Sequence, residues 1–467
     1  MNTSCDADWR GARVTIMGLG LFGGGLAATR FAVEKGADVT VTDLRPAEKL
    51  RESIEKLEGL PIRYVLGEHD EADFTGSGLV IASPAVKLDS PYLVAADEAG
   101  VELTTEVVLF AQRFPGPVIA VSGSNGKTTT TALIGAILTA HDPRAVTGGN
   151  IGRPLLEIVD EIPADAPVAL EVSSFQLEWL GRIGWSPDIG VLTNIAPNHL
   201  DWHGTMDAYV AAKRKLLTNQ SPDQIAILNA GDSTLSAMAD DLSGRVLRFS
   251  GAESHPPGSW IDGDRVMTNA GGSECAVMDI SDIPLVGLHN RENVLAAVAA
   301  TSAFGVPVET IAEAVRSFEP VEHRLELVRE RDGVSYYNDS IATTPESTIC
   351  ALRSFTDGTV MLIAGGYDKG IEFDALGREI AQRAHYLMVL GVTADKITQA
   401  AISAGFPSDR IQAFDQLDEA VRAGSLLARS GDAIVMSPAC ASYDQYRNFA
   451  ERGEHFRTIV DAFAHDG

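Results

Sequence analysis

The stretch from Val118 to Thr131 constrains the fold of this chain more than any other part of its sequence. It consists of a short apolar run, a tight loop that ends in Gly126-Lys127-Thr128, and a second apolar run. This order predicts a strand, a loop and a helix, so that loop N–H groups and the positive end of the helix dipole point at one place, as phosphate requires. Lys127 offers a charge for the outer phosphates and Thr128 a hydroxyl for Mg²⁺. The loop opens at Gly123 and is shorter than the usual motif, so an ordinary strand–helix turn is the alternative.

The size and charge of the chain limit the classes of protein to which it can belong. With 467 residues it is too long for one hydrophobic core, and two to four domains are expected. Apolar residues make up 45% and charged residues 22%, which is typical of globular proteins. The net charge of −27 repels nucleic acid and anionic lipid, so neither is expected as a partner. An anionic substrate would need local cations, backbone amides and metal ions.

The cysteines and the N-terminus point to a compartment. The four cysteines are scattered, with no close pair and no metal-ligand spacing, which indicates reduced thiols. The first eight residues are acidic and not apolar, so no signal peptide is expected. No run approaches the roughly 18 apolar residues that span a membrane. These features predict a cytoplasmic protein.

Strand-like runs that end in glycine recur at 14–20, 118–126 and 360–366, and strand-like and helix-like runs alternate between them. Alternation of this kind predicts α/β domains with parallel sheets. Proline-containing stretches near 114–117 and 318–320 resemble linkers. We therefore predict three domains, 1–114, 115–319 and 320–467. The Gly-, Pro- and Ser-rich stretch 250–272 is expected to form surface excursions of the middle domain.

The first glycine-rich turn, Gly18-Leu-Gly-Leu-Phe-Gly23, matches G-x-G-x-x-G after a strand. Asp43 ends the next strand about 20 residues on, and Arg45 follows it. A pyrophosphate could lie on this helix N-terminus, with a ribose-like hydroxyl near Asp43. The pattern fits NAD(P) or a nucleotide-sugar diphosphate, and a purely structural turn is a third interpretation.

Three further residues of the middle domain are candidates. Glu171 lies in a strand suited to burial, where a carboxylate is costly unless it is paired or binds a metal. A structural ion pair or an Mg²⁺ ligand would explain it. His199 lies on a loop after a strand, in the same domain, and is predicted to belong to the site. Lys213 begins a basic cluster on a helix, and on sequence alone an exposed helix face is favoured.

Polar clusters in the last third of the chain also follow strands. They are His323-Arg324, Tyr337–Ser340 and Ser437–Gly453. Loops next to strand ends are where ligand sites form in α/β domains, so a ligand site is predicted here.

Eight motifs, in order over nearly the whole chain, carry a resemblance to a known family. They are Gly123–Thr129, Gly148–Gly152, Glu171–Glu178, Asn198–Asp201, His289–Asn293, His323-Arg324, Asn338–Ser340 and Ser437–Ser442. Together they resemble the Mur ligases of peptidoglycan synthesis, and within that family the members that use D-glutamate. The resemblance implies a Rossmann-like N-terminal domain for a UDP-sugar, a central P-loop ATPase domain, and a Rossmann-like C-terminal domain for an amino acid.

By position, the resemblance implies roles for individual residues. The catalytic set comprises Lys127, Glu171, His199 and Lys213. ATP would be bound by Ser124, Asn125, Gly126, Lys127, Thr128, Thr129, Thr130, Asn293, Arg324 and Asp339. The UDP-sugar would contact Leu21, Phe22, Asp43, Arg45, Ser83 and Asn150. Thr343, Lys369, Ser442 and Phe449 would bind glutamate. Thr128 and Glu171 would bind one Mg²⁺, and His199 a second, toward which a carbamylated Lys213 would reach.

The implied reaction is ATP-driven amide formation. The γ-phosphoryl group passes to the alanyl carboxylate of UDP-N-acetylmuramoyl-L-alanine, and the amine of glutamate then displaces phosphate from the acyl phosphate. The cofactors would be ATP and two Mg²⁺ ions, the partners small molecules only, and the enzyme a monomer. No unique base for the incoming amine is evident, since His199 fits better as a ligand.

The chain departs from the family pattern at three positions. Ile341 follows Asn338-Asp-Ser340 where D-glutamate-using members usually have lysine, so L-glutamate stays open as a second substrate. Asn198 stands where an acidic residue often precedes the histidine, and Phe22 replaces a small hydroxyl residue. A related ligase for another amino acid, an NAD(P)-dependent oxidoreductase and a non-catalytic nucleotide-binding module also stay open as interpretations.

Overall fold

A computed structural model describes residues 9–20, 23–251, 254, 256–285, 287–319, 322–368 and 370–463. The predicted site residues Leu21, Phe22 and Lys369 lie outside these ranges. The chain divides into two compact units. One runs to Ile280 and takes in Glu292–Arg316, and the other comprises Ser281–Arg291 and the chain from Ser317 on. Three sheets are present in the described ranges, two in the first unit and one in the second, and the predicted α/β fold class is confirmed.

The first sheet has five parallel strands in the order β3-β2-β1-β4-β5. Its strands are β1 (Arg13–Met17), β2 (Asp38–Asp43), β3 (Ile62–Leu66), β4 (Leu79–Ala82) and β5 (Glu102–Thr104). Its helices are α1 (Gly24–Glu34), α2 (Arg51–Glu55), α3 (Glu71–Thr75), α4 (Pro91–Glu98) and α5 (Glu106–Arg113). Strand order reverses between β1 and β4, which is where α/β sheets form ligand crevices.

The second sheet has nine strands in the order β14-β13-β12-β11-β10-β9-β6-β8-β7. Its strands are β6 (Val118–Ser122), β7 (Val146–Gly149), β8 (Val168–Glu171), β9 (Ile189–Leu192), β10 (Ile225–Asn229), β11 (Arg245–Ser250), β12 (Gly258–Asp262), β13 (Arg265–Thr268) and β14 (Cys275–Asp279). The helices of this region are α6 (Lys127–His141), α7 (Ser174–Arg182), α8 (Leu200–His203), α9 (Met206–Thr218), α10 (Ser233–Met238), α11 (Leu288–Phe304) and α12 (Val308–Arg316). β6 lies between β8 and β9 and is buried throughout, as expected of a parallel strand covered on both faces.

The expectation of surface excursions at 250–272 is wrong. This stretch contributes β12 and β13, which form an antiparallel meander with β14 at the sheet edge. Trp260 and Val266 are buried. The Gly, Pro and Ser content of the stretch concealed two short strands whose apolar side chains complete the core.

The third sheet has six strands in the order β15-β16-β20-β17-β18-β19. Its strands are β15 (Glu326–Arg331), β16 (Val334–Asn338), β17 (Val360–Gly365), β18 (Ala384–Leu390), β19 (Ile411–Phe414) and β20 (Ala433–Met436). Its helices are α13 (Pro345–Leu352), α14 (Asp374–Arg383), α15 (Ala394–Ser403), α16 (Leu417–Leu427) and α17 (Phe449–Ala462). The β15–β16 pair is antiparallel and the others are parallel. The boundaries 1–114, 115–319 and 320–467 stay predictions.

Within the described ranges, the helices are all too short or too polar to cross a bilayer.

Candidate active site

The predicted phosphate-binding loop follows β6 and leads directly into α6, which begins at Lys127. Two of its glycines are required by their surroundings. Gly123 has φ 143°, and a Cβ there would lie 1.9 Å from Thr193 Oγ1. Gly126 has φ 80°, and a Cβ there would lie 2.3 Å from Asn293 Oδ1. The loop therefore packs against the end of β9 and against α11 with no space for a side chain.

Hydrogen bonds to the 193–196 segment fix the shape of this loop. The Ser124 hydroxyl accepts a bond from the Ala196 N–H at 2.8 Å and lies 2.9 Å from the Tyr209 hydroxyl. The Asn125 N–H donates to Asn194 Oδ1 at 2.9 Å. The same segment leads on to His199, so the loop and the predicted metal ligand belong to one hydrogen-bonded structure.

The threonines after the loop lysine divide into two kinds. Thr128 is half-buried, whereas the side chains of Thr129 and Thr130 are buried in the protein. The Thr130 hydroxyl donates to Asn293 Oδ1 at 3.2 Å. Of these three threonines only Thr128 is not fully buried, and the buried Thr129 hydroxyl has no hydrogen-bond partner among the described residues.

Two lysine side chains converge on one carbonyl oxygen of the loop. Lys127 Nζ donates to the Gly123 oxygen at 3.0 Å, and Lys213 Nζ donates to the same oxygen at 2.7 Å. Lys213 also donates to Ser122 Oγ at 3.2 Å and lies over the Tyr209 ring. Its side chain is only 2% exposed, so the exposed helix face favoured on sequence alone is wrong for this residue.

Burial, with a contribution from the neighbouring Lys127, holds the pKa of Lys213 well below its usual range, and Glu171 opposes the shift. Burial and the neighbouring charge both favour the neutral amine. An uncharged amine is a nucleophile, whereas an ammonium group is not. Lys213 is therefore chemically suited to modification by an electrophile such as carbon dioxide.

Glu171 is the last residue of β8, opposite Val121 at the end of β6. Its side chain is buried, and Oε1 accepts a bond from Asn150 Nδ2 at 2.7 Å. The other oxygen, Oε2, is buried and has no hydrogen-bond partner among the residues that the structure describes. A buried carboxylate oxygen without a donor is costly unless a cation binds it, so the arrangement fits an Mg²⁺ ligand better than the structural ion pair.

The described ranges contain no cluster of three or more His, Cys, Asp and Glu side chains that could by itself hold a metal. The predicted ligands include only two residues of these types, Glu171 and His199. Mg²⁺ commonly completes its octahedral shell with water and substrate phosphate, so one or two carboxylates suffice. The residues present thus fit a metal that arrives with its nucleotide.

His199 lies at the N-terminus of α8 in a left-handed conformation with φ 53°. Its ring packs edge-on against Phe175, with centroids 4.8 Å apart. His203, at the other end of the helix, has Nε2 3.0 Å from Ser174 Oγ. Trp202 Nε1 donates to the Ala85 carbonyl at 2.8 Å, after β4 of the first sheet. α8 therefore contacts both the start of α7, which follows Glu171, and the loop after β4 of the first sheet.

A cavity of about 220 Å³ lies where the strand order of the first sheet reverses. Gly18, Gly20, Ser83, Asn150 and Phe175 contribute to its lining. Asn150 belongs to this lining and also donates to Glu171, so one side chain links the cavity wall to the carboxylate beside the phosphate-binding loop. Ser83 and Asn150 are thus brought together as predicted UDP-sugar residues.

Asp43 and Arg45 are placed differently from the other predicted UDP-sugar residues. Asp43 is buried, with Oδ2 accepting from the Gly20 N–H at 3.2 Å and Oδ1 from the Arg45 N–H at 2.9 Å. Its carboxylate therefore stabilises the backbone of the glycine-rich turn at Gly20. The Arg45 side chain is exposed, and neither residue is among those lining the cavity.

In the second unit, Asp339 follows β16 and is buried. Its carboxylate accepts bonds from the Leu325 N–H at 3.1 Å and the Ser437 hydroxyl at 2.6 Å. Burial raises the pKa of Asp339 to about 6, although the Ser437 hydrogen bond and Arg324 oppose the shift. Arg324 Nε is buried without a hydrogen-bond partner among the described residues. A buried guanidinium donor of this kind is suited to phosphate.

Three of the four predicted glutamate residues are described, and they lie in the same unit. Ser442 is 2% exposed, and its hydroxyl has no hydrogen-bond partner in the described part of the chain. Phe449 begins α17, and its carbonyl accepts from the Ser340 hydroxyl at 2.7 Å. Thr343 is half-buried. The unsatisfied Ser442 hydroxyl is a structural sign of a polar ligand in this unit.

Several residues that shape these sites were not predicted from the sequence. Tyr209 joins Ser124 to Lys213, Asn194 holds the loop, and Trp202 contacts the first sheet. Only Tyr209 carried a signal, because it precedes Lys213 by four residues and so shares its helix face. The roles of the others depend on distant parts of the chain.

Three family models match the chain: the N-terminal domain of MurD-like Mur ligases over residues 12–105, the Mur ligase middle domain over 121–301, and the Mur ligase glutamate ligase domain over 323–440. The chain therefore belongs to the Mur ligase family, whose members use ATP to form amide bonds in peptidoglycan precursor synthesis. It is an enzyme of the ligase class. The two other interpretations of the sequence, an NAD(P)-dependent oxidoreductase and a non-catalytic nucleotide-binding module, are therefore excluded.

Similar proteins from several bacteria share one name. The UDP-N-acetylmuramoylalanine–D-glutamate ligase of Roseiflexus sp. (strain RS-1) is 44% identical over 97% of this chain and 99% of that one. The ligase of the same name from Symbiobacterium thermophilum is 42% identical over 97% of this chain and 98% of that one.

Solved structures support the same fold. The UDP-N-acetylmuramate–alanine ligase MurC of Thermotoga maritima has a TM-score of 0.61 at 20% identity, covering 98% of this chain and 100% of that one. The MurF ligase of Thermotoga maritima in complex with ADP has a TM-score of 0.59 at 16% identity, covering 97% of this chain and 96% of that one. At these identities the likeness concerns the fold alone.

Proposed function

We propose that this ligase adds D-glutamate to UDP-N-acetylmuramoyl-L-alanine, with ATP hydrolysed to ADP and phosphate. The observation that carries the proposal is the double contact of Asn150. It lines the cavity of the first sheet and donates to Glu171 beside the phosphate-binding loop. A UDP-sugar in that cavity would therefore present its alanyl carboxylate close to the terminal phosphate of ATP.

The phosphoryl-transfer step needs positioning and charge neutralisation more than covalent chemistry. The backbone N–H groups at the start of α6 would bind the β- and γ-phosphates, and Lys127 would neutralise charge on the transferred group. The alanyl carboxylate would attack the γ-phosphorus and form an acyl phosphate. The amine of glutamate would then attack the acyl carbon, lose a proton and expel phosphate.

Two Mg²⁺ ions are proposed to accompany the nucleotide, one held by Thr128 and Glu171 and the other by His199 and Lys213. When bound, Mg²⁺ neutralises charge on the phosphates and on the attacking carboxylate. The unpartnered Glu171 Oε2 supports the first site. For the second, we propose that the neutral Lys213 amine adds to carbon dioxide and loses a proton. The product is an anionic carbamate.

The remaining ATP-binding and glutamate-binding residues are proposed from their surroundings. Arg324 and Asp339 would contact ATP, and Ser442, Thr343, Lys369 and Phe449 would bind glutamate. The relatives' names favour D-glutamate, and L-glutamate is the second candidate because Ile341 replaces the lysine expected after Ser340. We further propose a monomer of the cytoplasm with no nucleic-acid or membrane partner.

The test is phosphate release with ATP, Mg²⁺ and UDP-N-acetylmuramoyl-L-alanine, with D-glutamate or L-glutamate in separate reactions. We expect release with D-glutamate only, and a product whose mass has grown by one glutamyl residue. Release with neither enantiomer, but with another amino acid, would remove the substrate assignment. Release with L-glutamate alone would establish the second candidate.

A further inference from the structure

Arg452 in the second turn of α17 is a buried charge to which the proposed function assigns no role. The residue is only 5% exposed. Nε donates to the Ser340 hydroxyl at 3.0 Å, and one terminal nitrogen donates to the carbonyl oxygens of Ser340 at 2.9 Å and Cys440 at 3.1 Å. In the described part of the chain no carboxylate lies within ion-pair distance of this guanidinium. Asp339 and Asp444 act on it only from beyond that distance. A buried cation without a direct ion pair is costly and calls for an explanation.

The two segments that Arg452 holds are both predicted parts of the site. Ser340 follows Asp339, and Cys440 lies two residues before Ser442, whose hydroxyl is buried and unpartnered among the described residues. β16 and β20 are parallel neighbours, so the two segments leave the sheet at the same edge. Arg452 therefore joins the loop that carries Asp339 to the turn that carries Ser442.

The other face of the guanidinium lies near an opening in the protein. A Cβ on Gly366 would be 3.4 Å from the second terminal nitrogen of Arg452. Gly366, Pro438 and Arg452 contribute to the lining of a cavity of about 20 Å³ at the ends of β17 and β20. Burial lowers the pKa of Arg452 to about 10, so the side chain is still charged at neutral pH. The residue after Ser340 is the apolar Ile341, which adds no charge to this edge.

We propose that Arg452 is a positioning residue of the glutamate pocket. Through Ser340 and Cys440 it holds the Ser442 hydroxyl toward the amino acid, and its positive charge, which forms no direct ion pair with a described residue, attracts a carboxylate of that substrate. This inference rests on the proposed function. It predicts that Arg452 affects the binding of the dicarboxylic amino acid more than the use of ATP.

The experiment compares Arg452→Gln and Arg452→Lys with the wild-type enzyme. We expect the KM for glutamate to rise roughly 10- to 100-fold in the glutamine variant, as the loss of a charge-assisted interaction implies. The lysine variant keeps the charge but not the planar set of donors. Its KM for glutamate should therefore lie between the values of the wild-type enzyme and the glutamine variant. The KM values for ATP and for the UDP-sugar should change by less than about twofold.

A partial reaction separates this role from a structural one. With hydroxylamine in place of glutamate, the acyl phosphate yields a hydroxamate and phosphate, so glutamate binding is bypassed. We expect wild-type rates of hydroxamate formation in both variants. Arg447→Gln, which removes an exposed arginine from the neighbouring turn, is the matched control and should change neither reaction.

The outcomes are distinguishable. If wild-type enzyme forms hydroxamate but responds to no form of glutamate, the proposed function fails and not merely the role of Arg452. If wild-type enzyme uses glutamate and both variants keep its KM, the inference about Arg452 is overturned. Loss of the hydroxylamine reaction together with glutamate use, or an equal rise in the KM for ATP, would also overturn it, because Arg452 would then have only a structural role.

Discussion

Substituting alanine for Gly126 should destabilise the first unit far more than the same change at another left-handed glycine. A non-glycine residue at φ 80° costs about 1–2 kcal/mol. The added Cβ would also lie 2.3 Å from Asn293 Oδ1. Asn293 is buried and accepts the Thr130 hydrogen bond, so moving it costs about 1 kcal/mol for the bond and about 1–3 kcal/mol for overpacking.

Gly184→Ala is the matched control. Gly184 has φ 67°, but a Cβ added there would meet no heavy atom within 4 Å, so the substitution carries the backbone cost alone. We expect Gly126→Ala to lower the free energy of unfolding by about 3–6 kcal/mol, against about 1–2 kcal/mol for Gly184→Ala. The double variant Gly126→Ala/Asn293→Ala should recover at least about 1 kcal/mol relative to additivity, because the clash is removed.

Urea unfolding followed by tryptophan fluorescence is the assay. It reports on the first unit alone, because that unit contains every tryptophan of the chain: Trp9, Trp179, Trp185, Trp202 and Trp260. Equal losses of stability in the two glycine variants would refute the steric argument. So would strict additivity in the double variant, since the contact with Asn293 would then be unimportant.

Three further outcomes are expected. Lys213→Ala should abolish turnover and remove the carbamate signal seen by ¹³C NMR in ¹³CO₂-equilibrated protein, whereas Lys215→Ala should keep both; a signal that persists without Lys213 contradicts the assignment. Trp202→Phe should raise the KM for the UDP-sugar roughly fivefold, as expected for one lost hydrogen bond, here to the Ala85 carbonyl, and an unchanged KM in steady-state assays would contradict this link. The folded-state pKa of Asp339, raised to about 6, lies above its unfolded value, so this group stabilises the second unit at low pH and the stabilisation is lost as pH rises from about 4 through 6. Hydrogen exchange of peptides from that unit should show the loss in wild-type protein and not in Asp339→Asn.

Local sequence was sufficient to predict the structure where the residues that define it are contiguous. The strand, loop and helix around Lys127 were predicted because the small residues, the lysine and the apolar runs are contiguous. The helix begins at Lys127, which is the position that phosphate binding requires. The strands at 258–268 were missed, because short segments rich in Gly, Pro and Ser acquire their structure only by completing a sheet.

The surroundings of single side chains were less predictable. Asp43 stays a predicted UDP-sugar residue, and the sequence did not show that its carboxylate also accepts a hydrogen bond from the Gly20 N–H. The sequence favours an exposed helix face for the basic cluster that begins at Lys213. In the structure the Lys213 side chain instead faces the interior and donates to the Gly123 carbonyl. Sequence periodicity shows which residues share a helix face, but it does not show which other segments of the protein that face packs against.

The sequence by itself determined the fold class, the order of the motifs and the phosphate-binding loop, because these depend on residues that are neighbours in the chain. Tertiary structure decided which charges are buried and what they contact. The lowered pKa of Lys213, the Glu171 oxygen without a partner among the described residues, and the enclosed guanidinium of Arg452 all arise from packing between segments far apart in sequence. Desolvation depends on everything that surrounds a group, and that is a property of the folded molecule.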